Sequence, residues 1–447
     1  MAAGQQDQDL RPKLFADKSF WGMTVTQFLG AFNDNLYKQL MLLLAIPAVA
    51  VATASEAGQG GSDVQGWATL VFSLPFVLFS GIAGYLSDKI SKRPIIVFCK
   101  VAEVAIMVLG VAAFYYYGML GAAGTWVVLF LMGLQSAFFG PGKYGILPEL
   151  FRDEDLPRAN GIILMTTFLA IIFGTVFAGV LKDVLVGEEG SNQSLWIGLI
   201  VCVVIAVLGA LTSLLVRYTP PAQPDMKLTK DAWAVSSDVL KVLFSDRQLL
   251  AALLVSSVFW LVSGLAVPTV NRLGLELLQV SAAATSILTA SIGLGIMGGA
   301  LLASVLCRRG YGDRSVTLGL SGIFTTLIIL GMWLSRDGAT VHMLGFAGSV
   351  VVLVLLGVFA AIFAIPIQVF LQSRPPAKIK GRMIATMNQA NFVGILISGP
   401  LYQVFESIAT TKQWPICSVF LMMSLLVLPL AALYRLDSKG KKAESVA

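Results

Sequence analysis

Five ionisable residues, Asp34, Lys38, Lys100, Glu103 and Lys143, lie inside otherwise apolar stretches of this chain. Placing such a group within a membrane helix costs about 2.5–3.5 kcal/mol on insertion scales, so each needs a partner or a purpose. Asp34 and Lys38 stand four residues apart with the acid first, the favourable order on one helix face. Lys100 and Glu103 repeat the device at a spacing of three, and the amides Asn33, Asn35, Gln135, Asn388, Gln389 and Asn391 add donors and acceptors within apolar runs. Two acids against three bases make a mostly zwitterionic set with one extra positive charge. That set suits a headgroup carrying both phosphate and ammonium, because each internal pair can exchange its partner for the opposite charge of the ligand. Plainer readings stay open beside it. The two acid–base couples can be self-neutralised locks between helices, Lys143 can snorkel to the membrane surface, and Asn388 and Asn391 can simply bond to neighbouring helices.

The elements that must position these groups are twelve apolar spans, near 20–50, 67–86, 94–117, 125–148, 159–181, 194–216, 249–269, 283–306, 315–334, 344–372, 382–404 and 415–434. Each reaches the roughly 20 residues a helix needs to cross the hydrocarbon core. Asp34 falls about 20 Å along a helix that starts at Phe20, at ~1.5 Å per residue, which places it near mid-depth. In the fourth span, Phe139-Gly140-Pro141-Gly142-Lys143-Tyr144-Gly145 predicts a helix opened by two glycines and a proline, with backbone groups exposed beside Lys143.

The distribution of basic residues sets the topology. Of 31 Lys and Arg, 24 lie in the two tails and in the connections after even-numbered spans. The opposite connections hold only Lys182, Arg272, Arg336 and Lys412. This bias places both termini in the cytoplasm. The net charge of +6 therefore reads as topology, not as a nucleic-acid surface. With 57% hydrophobic and 13% charged residues, a soluble globule is excluded. Met1–Lys18 is polar, so no cleavable signal is expected.

Catalysis and metal binding find little support. Cys99, Cys202, Cys307 and Cys417 have no paired spacing, and His342 is the only histidine. A glycerolipid acyltransferase needs a histidine with an aspartate five positions on, and here that position is Ala347. We therefore expect no catalytic residues, no metal and no cofactor.

The longest hydrophilic connection, 217–248, divides the chain into six-span halves, 1–216 and 249–434, with a tail at 435–447. It carries three prolines and an amphipathic stretch, Ala232–Phe244, expected to lie along the membrane surface. The halves echo each other: Pro141 and Pro366 are 225 apart, as are Gly174 and Gly399, and Leu86, Lys92 and Arg93 recur 216 residues on as Leu302, Arg308 and Arg309. The expected fold is an all-α membrane protein of twelve helices in two pseudo-repeats, with a site near the midplane.

The connection Gly84-Tyr85-Leu86-Ser87-Asp88-Lys89-Ile90-Ser91-Lys92-Arg93 resembles the signature loop of the major facilitator superfamily. That resemblance implies a cytoplasmic latch: Gly84 for close helix approach, Asp88 facing the start of span eleven near Gly381 and Arg382, and Lys92 and Arg93 anchoring to phosphates. In the second half Ser304 stands where the acid would be, so only the first latch is expected to be strong. Two further segments, Gln27–Asn35 in span one and Phe139–Leu150 closing span four, are similar to the lysophospholipid transporter family, a bacterial branch of the superfamily. The resemblance covers the whole twelve-span chain. It implies movement of lysophospholipids, chiefly lysophosphatidylethanolamine, from the outer to the inner leaflet of the inner membrane by alternating access. A separate acyltransferase and acyl-carrier-protein synthetase would then restore the second acyl chain. The headgroup would be held by Asn33, Asp34, Asn35, Lys38, Lys100, Glu103 and Lys143, with Asn388 and Asn391 contributing from span eleven.

Two other functions fit parts of the pattern. A proton-coupled exporter of amphipathic small molecules would use Asp34 or Glu103 as the titrating carboxylate, and would move its cargo outward in a gradient-dependent way. An accessory anchor for an acyltransferase would gain nothing from embedded charges.

Overall fold

A computed structural model describes residues 12–46, 64–152, 155–186, 192–225, 237–336, 339–375 and 380–436. Among the described residues, thirteen α-helices of nine residues or more carry the fold. The first six are α1 (Lys18–Leu44), α2 (Gln65–Lys89), α3 (Lys92–Tyr115), α4 (Tyr117–Gly145), α5 (Leu156–Leu185) and α6 (Leu195–Ser213). A short α7 (Ser237–Ser245) follows, then α8 (Arg247–Arg272), α9 (Ala282–Arg308) and α10 (Gly312–Leu330). A hairpin of β1 (Trp333–Arg336) and β2 (Ala339–His342) precedes α11 (Gly345–Ser373), α12 (Lys380–Thr411) and α13 (Ser418–Leu433). In hydrocarbon no water can satisfy free peptide groups, so spans of this composition close their hydrogen bonds internally as helices. Among the described residues, ten helices are long and apolar enough to cross a membrane. The other two expected spans are α1, whose centre is the polar run Asn33–Gln39, and α13, at 16 residues.

The contacts divide the chain into two compact units. One holds the described residues of Met1–Lys38 and Leu74–Ala234, the other those of Gln39–Ser73 and Val235–Ala447. In the first unit, Phe20, Met23, Ile96, Cys99, Phe139 and Ile163 are buried together. In the second, Leu265, Leu320, Phe363, Ile367, Tyr402 and Met423 form part of a larger core. On α7, Val239 and Leu243 are buried in that core one turn apart, while Phe244 is 72% exposed. Residues 232–236 of the expected amphipathic stretch lie outside the described residues.

Small residues let these helices meet, as expected where lipid removes the hydrophobic drive between spans. A Cβ at Gly174 of α5 would lie 2.5 Å from the Phe32 carbonyl oxygen of α1. In the second unit a Cβ at Gly394 of α12 would lie 2.4 Å from the Ser257 oxygen of α8. Phe32 and Ser257 are 225 residues apart and Gly174 and Gly394 220, so the two contacts join corresponding helices without sharing one offset. Gly399, 225 residues after Gly174, meets Gly66 of α2, where a Cβ would come 2.3 Å from that oxygen. Gly84 lies in open space. Among the described residues nothing lies within 4 Å of a Cβ built there.

The expected opening of α4 at Gly140–Gly142 is also absent. The helix runs through Pro141 and ends at Gly145, and its one non-helical residue is Gly121, at φ 56°. A proline removes a single helical hydrogen bond, and that loss does not break a long transmembrane helix here.

Candidate functional site

Helices α1, α3 and α4 of the first unit bring most of the embedded polar residues together. Lys100 and Glu103, one turn apart on α3, are paired at 2.6 Å, with about 2% of each side chain exposed. The other Glu103 oxygen, Oε1, accepts a bond from Asn33 Nδ2 at 3.1 Å, and the same amide donates to the Cys202 carbonyl of α6 at 3.0 Å. The Lys100 ammonium also lies 4.2 Å from the centre of the Phe139 ring on α4. Cation, carboxylate, amide and aromatic face thus form one buried unit.

The pair has room because of Gly30. A Cβ at that position would fall 1.9 Å from Lys100 Nζ. Gly30 belongs to the motif that carries the family resemblance, yet its role is steric and could not be read from spacing.

One residue along α1, Asp34 turns towards α4. Its Oδ2 accepts a hydrogen bond from the Ser136 hydroxyl, which also lies 3.0 Å from Gln135 Oε1. Three polar atoms in this region are buried with no hydrogen-bond partner among the described residues: Asn33 Oδ1, Asp34 Oδ1 and Gln135 Nε2. Buried polar atoms are nearly always satisfied, so two orphan acceptors and an orphan donor on α1 and α4 leave hydrogen-bonding capacity unused in this region.

Lys143 does not snorkel. It is buried, and its ammonium lies 3.3 Å from Thr167 Oγ1 of α5 and 4.9 Å from the Tyr144 ring. Thr167 in turn donates to Gln27 Oε1 at 2.7 Å, and Gln27 Nε2 donates to Thr166 Oγ1 at 2.7 Å. Lys38 is half-buried on the same helix as Asp34. Asn35 is bonded to the Ala31 carbonyl of its own helix at 2.8 Å, which makes it a weaker member of the set than its neighbours.

The span-eleven amides belong to the second unit. Asn391 Oδ1 accepts from Ser256 at 3.0 Å, so it ties α12 to α8, whereas Asn388 is exposed. Ser136, Thr166 and Thr167 escaped the sequence reading. Hydroxyls are common in apolar spans, and nothing in the spacing separates these three from the rest.

At the cytoplasmic loop, Lys92 is buried and paired with Glu149 of the turn after α4. Arg93 donates to the Leu214 carbonyl at 3.2 Å. Lys92 thus has a counter-ion, and Arg93 one carbonyl acceptor, within the first unit. Asp88 is half-buried, and its carbonyl accepts from the Gln223 N–H at 2.8 Å. The side chains of Gly381 and Arg382 lie outside the described residues. The Ser304 hydroxyl donates to the Ala300 carbonyl of its own helix at 2.8 Å.

Among the described residues no group of three His, Cys, Asp or Glu side chains is placed to hold a metal ion.

Residues 20–399 match the profile of the Major Facilitator Superfamily. The chain belongs to that superfamily. Its relatives include the lysophospholipid transporter LplT of Enterobacter sp. (strain 638), 27% identical over 403 residues covering 87% of this chain and 88% of that one. LplT of Pectobacterium carotovorum subsp. carotovorum (strain PC1) is 26% identical over 410 residues, covering 90% and 89%. Among solved structures, the inward-open xylose transporter XylE from E. coli superposes with a TM-score of 0.67 at 15% identity, covering 95% of this chain and 97% of that one. The nucleoside transporter NupG gives 0.63 at 12% identity, covering 92% and 97%. These structures establish the fold: a multi-pass helical bundle of the major facilitator type.

Proposed function

We propose that this transporter moves lysophospholipids, chiefly lysophosphatidylethanolamine, from the outer to the inner leaflet of a bacterial inner membrane by alternating access. Similarity to LplT proteins over nearly nine-tenths of the chain supports the substrate class. The observation that carries the reading is the buried cluster of Lys100, Glu103, Asn33 and Asp34, with its three unpartnered polar atoms. A headgroup phosphate would take the Lys100 ammonium. The ethanolamine ammonium would take Asp34 and the released Glu103 carboxylate, so the charges trade partners without any being stranded. Lys38 and Lys143 supply further positive charge, and the single acyl tail lies against apolar helix faces or in lipid.

In this reading both termini are cytoplasmic, the halves 1–216 and 249–434 alternate about the site, and 217–248 joins them. The group Gly84, Asp88, Lys92 and Arg93 gates the cytoplasmic side, with Glu149 as the built-in partner of Lys92. The product is delivered to a separate acyltransferase. The chain acts as a transporter and not as an enzyme.

The test is uptake of labelled lysophosphatidylethanolamine into spheroplasts by the intact protein, Asp34→Ala and Lys143→Ala. Both variants should lose most of the uptake at normal membrane abundance. Full activity in both removes the polar-site mechanism, and outward movement that collapses with the proton gradient would favour the exporter instead.

A further inference from the structure

A second polar site lies in the second unit, at the end of α8 that the charge bias places outside. A cavity of about 340 Å³ opens among Arg272, Glu276, Thr410, Gln413 and Trp414, over a floor of Ala409 and Ile416. It is the size of a small-ligand pocket, enough for a polar headgroup but not for a whole lipid. Arg272 pairs through Nε with Glu276 Oε1 at 2.6 Å and through Nη1 with Glu406 Oε1 at 2.9 Å. Two carboxylates on one guanidinium leave a net negative charge around the cavity. Thr410 also donates to Glu406 Oε1, at 3.1 Å. Both bonds converge on that oxygen, so Glu406, which is not itself a lining residue, bears on the cavity through Arg272 and Thr410, while Glu276 is the carboxylate in the lining.

The surrounding backbone departs from regular helix on both sides. Leu273–Leu277 is a π-helical turn that carries Glu276, and such turns concentrate at functional sites. Gln413 adopts φ 54°, a left-handed conformation that ordinarily goes to glycine, and so ends α12 with the Trp414 N–H bonded to the Ala409 carbonyl at 2.8 Å. That turn sets Trp414 at the rim with 48% of its surface exposed. A carboxylate, a guanidinium and an exposed indole suit a primary ammonium next to a phosphodiester: carboxylate and ring face for the cation, guanidinium for the phosphate.

We infer that this cavity collects the ethanolamine headgroup of a lysophospholipid at the outer leaflet, before the lipid reaches the buried cluster of α1, α3 and α4. The inference rests on the transport direction proposed above. The cavity sets selectivity for the ammonium, whereas the buried cluster carries the translocation step.

The experiment measures KM and kcat for uptake of lysophosphatidylethanolamine and lysophosphatidylglycerol in proteoliposomes of fixed orientation. Glu276→Gln, which alters the carboxylate in the cavity lining, should raise KM for the ethanolamine lipid about tenfold, the value of one charge-assisted hydrogen bond, and leave kcat unchanged. Its KM for the glycerol lipid should not rise. Trp414→Ala, at an exposed position, should raise the ethanolamine KM about threefold, as expected for a cation–π contact. Unchanged KM values in both variants, or equal changes for both lipids, overturn the site while leaving the transport reading intact. Accumulation of tail-free glycerophosphoethanolamine would overturn it in favour of a soluble solute. Absence of any lysophospholipid uptake by the intact protein would instead remove the proposed function itself.

Discussion

Gly30 of α1 lies against the ammonium of Lys100 of α3: a Cβ at position 30 would come 1.9 Å from Nζ and 3.3 Å from Glu103 Oε2. The atom it meets is the end of a flexible side chain, so an alanine would be admitted by moving the lysine and not the backbone. Nζ is held in a buried pair, however, and moving it pulls the cation off its carboxylate. Gly30→Ala should therefore give a folded protein destabilised by about 1–3 kcal/mol, the usual range for overpacking. Its uptake of lysophosphatidylethanolamine should fall more than its stability explains. Thermal unfolding in detergent beside an uptake assay checks this, and normal uptake by the alanine variant would show that Lys100 need not sit where it does.

The Lys100–Glu103 pair separates structural from transport roles through a double-mutant cycle. Removing one partner strands a buried charge, which typically costs about 3–5 kcal/mol, whereas replacing both with apolar or neutral groups is often close to neutral. Lys100→Met and Glu103→Gln should each be strongly destabilising, and the double variant should recover most of the loss. Transport should not recover with it. A double variant as active as the intact protein would make the pair a lock between helices and nothing more.

How much of this was legible before the structure depends on which physical signal each residue leaves in one dimension. The apolar spans and the charged members of the cluster were legible because an ionisable group in a twenty-residue apolar run stands out against its surroundings. The pairing of Lys100 with Glu103 followed from helix periodicity. Ser136 on Asp34 and Thr167 beside Lys143 were not legible, since which hydroxyl faces a carboxylate depends on how the helices are rotated against each other. The expected break at Gly140–Gly142 failed for a related reason. Glycine and proline report what a helix can tolerate, and α4 tolerates them. Gly394 and Gly399 both face a neighbouring helix, and spacing alone cannot say which neighbour each one meets.

Asn271 gathers a third polar group, in the second unit, that the sequence reading passed over. Its Oδ1 accepts from Gln39 Nε2 at 2.8 Å and from Thr289 Oγ1 at 3.0 Å, and its Nδ2 donates to Gln65 Oε1 at 3.0 Å. Gln65 Nε2 continues to the Pro268 carbonyl at 3.2 Å. Asn271, Gln39 and Gln65 are all buried, so one amide satisfies partners from α1, α2 and α9. Asn271→Leu leaves Gln39 Nε2 and Gln65 Oε1 without that partner, at about 1–3 kcal/mol for each buried group left unsatisfied. Thr289→Val removes one donor while leaving Asn271 its other two bonds, and should cost about 1 kcal/mol. Unfolding midpoints should rank intact protein, Thr289→Val and Asn271→Leu in falling order. Equal midpoints for the two variants would show that the network has another anchor.

His342 makes the hairpin between α10 and α11 sensitive to acid. Its Nε2 lies 2.9 Å from the Leu330 carbonyl and its Nδ1 3.3 Å from Ser349 Oγ, and only 3% of the residue is exposed. Burial holds its pKa below the ordinary 6.5, although the Leu330 carbonyl works in the opposite direction. The folded hairpin therefore binds fewer protons than the unfolded one, so its stability rises with pH through this window. The contribution is complete above about 6.5 and is lost as pH falls from there through the lowered folded value. Amide exchange protection of Trp333–His342, compared between pH 7.5 and pH 5, should drop in the intact protein after correction for intrinsic exchange rates. In His342→Asn that difference between the two pH values should vanish. A variant that keeps it would place the responsible titration elsewhere in the second unit.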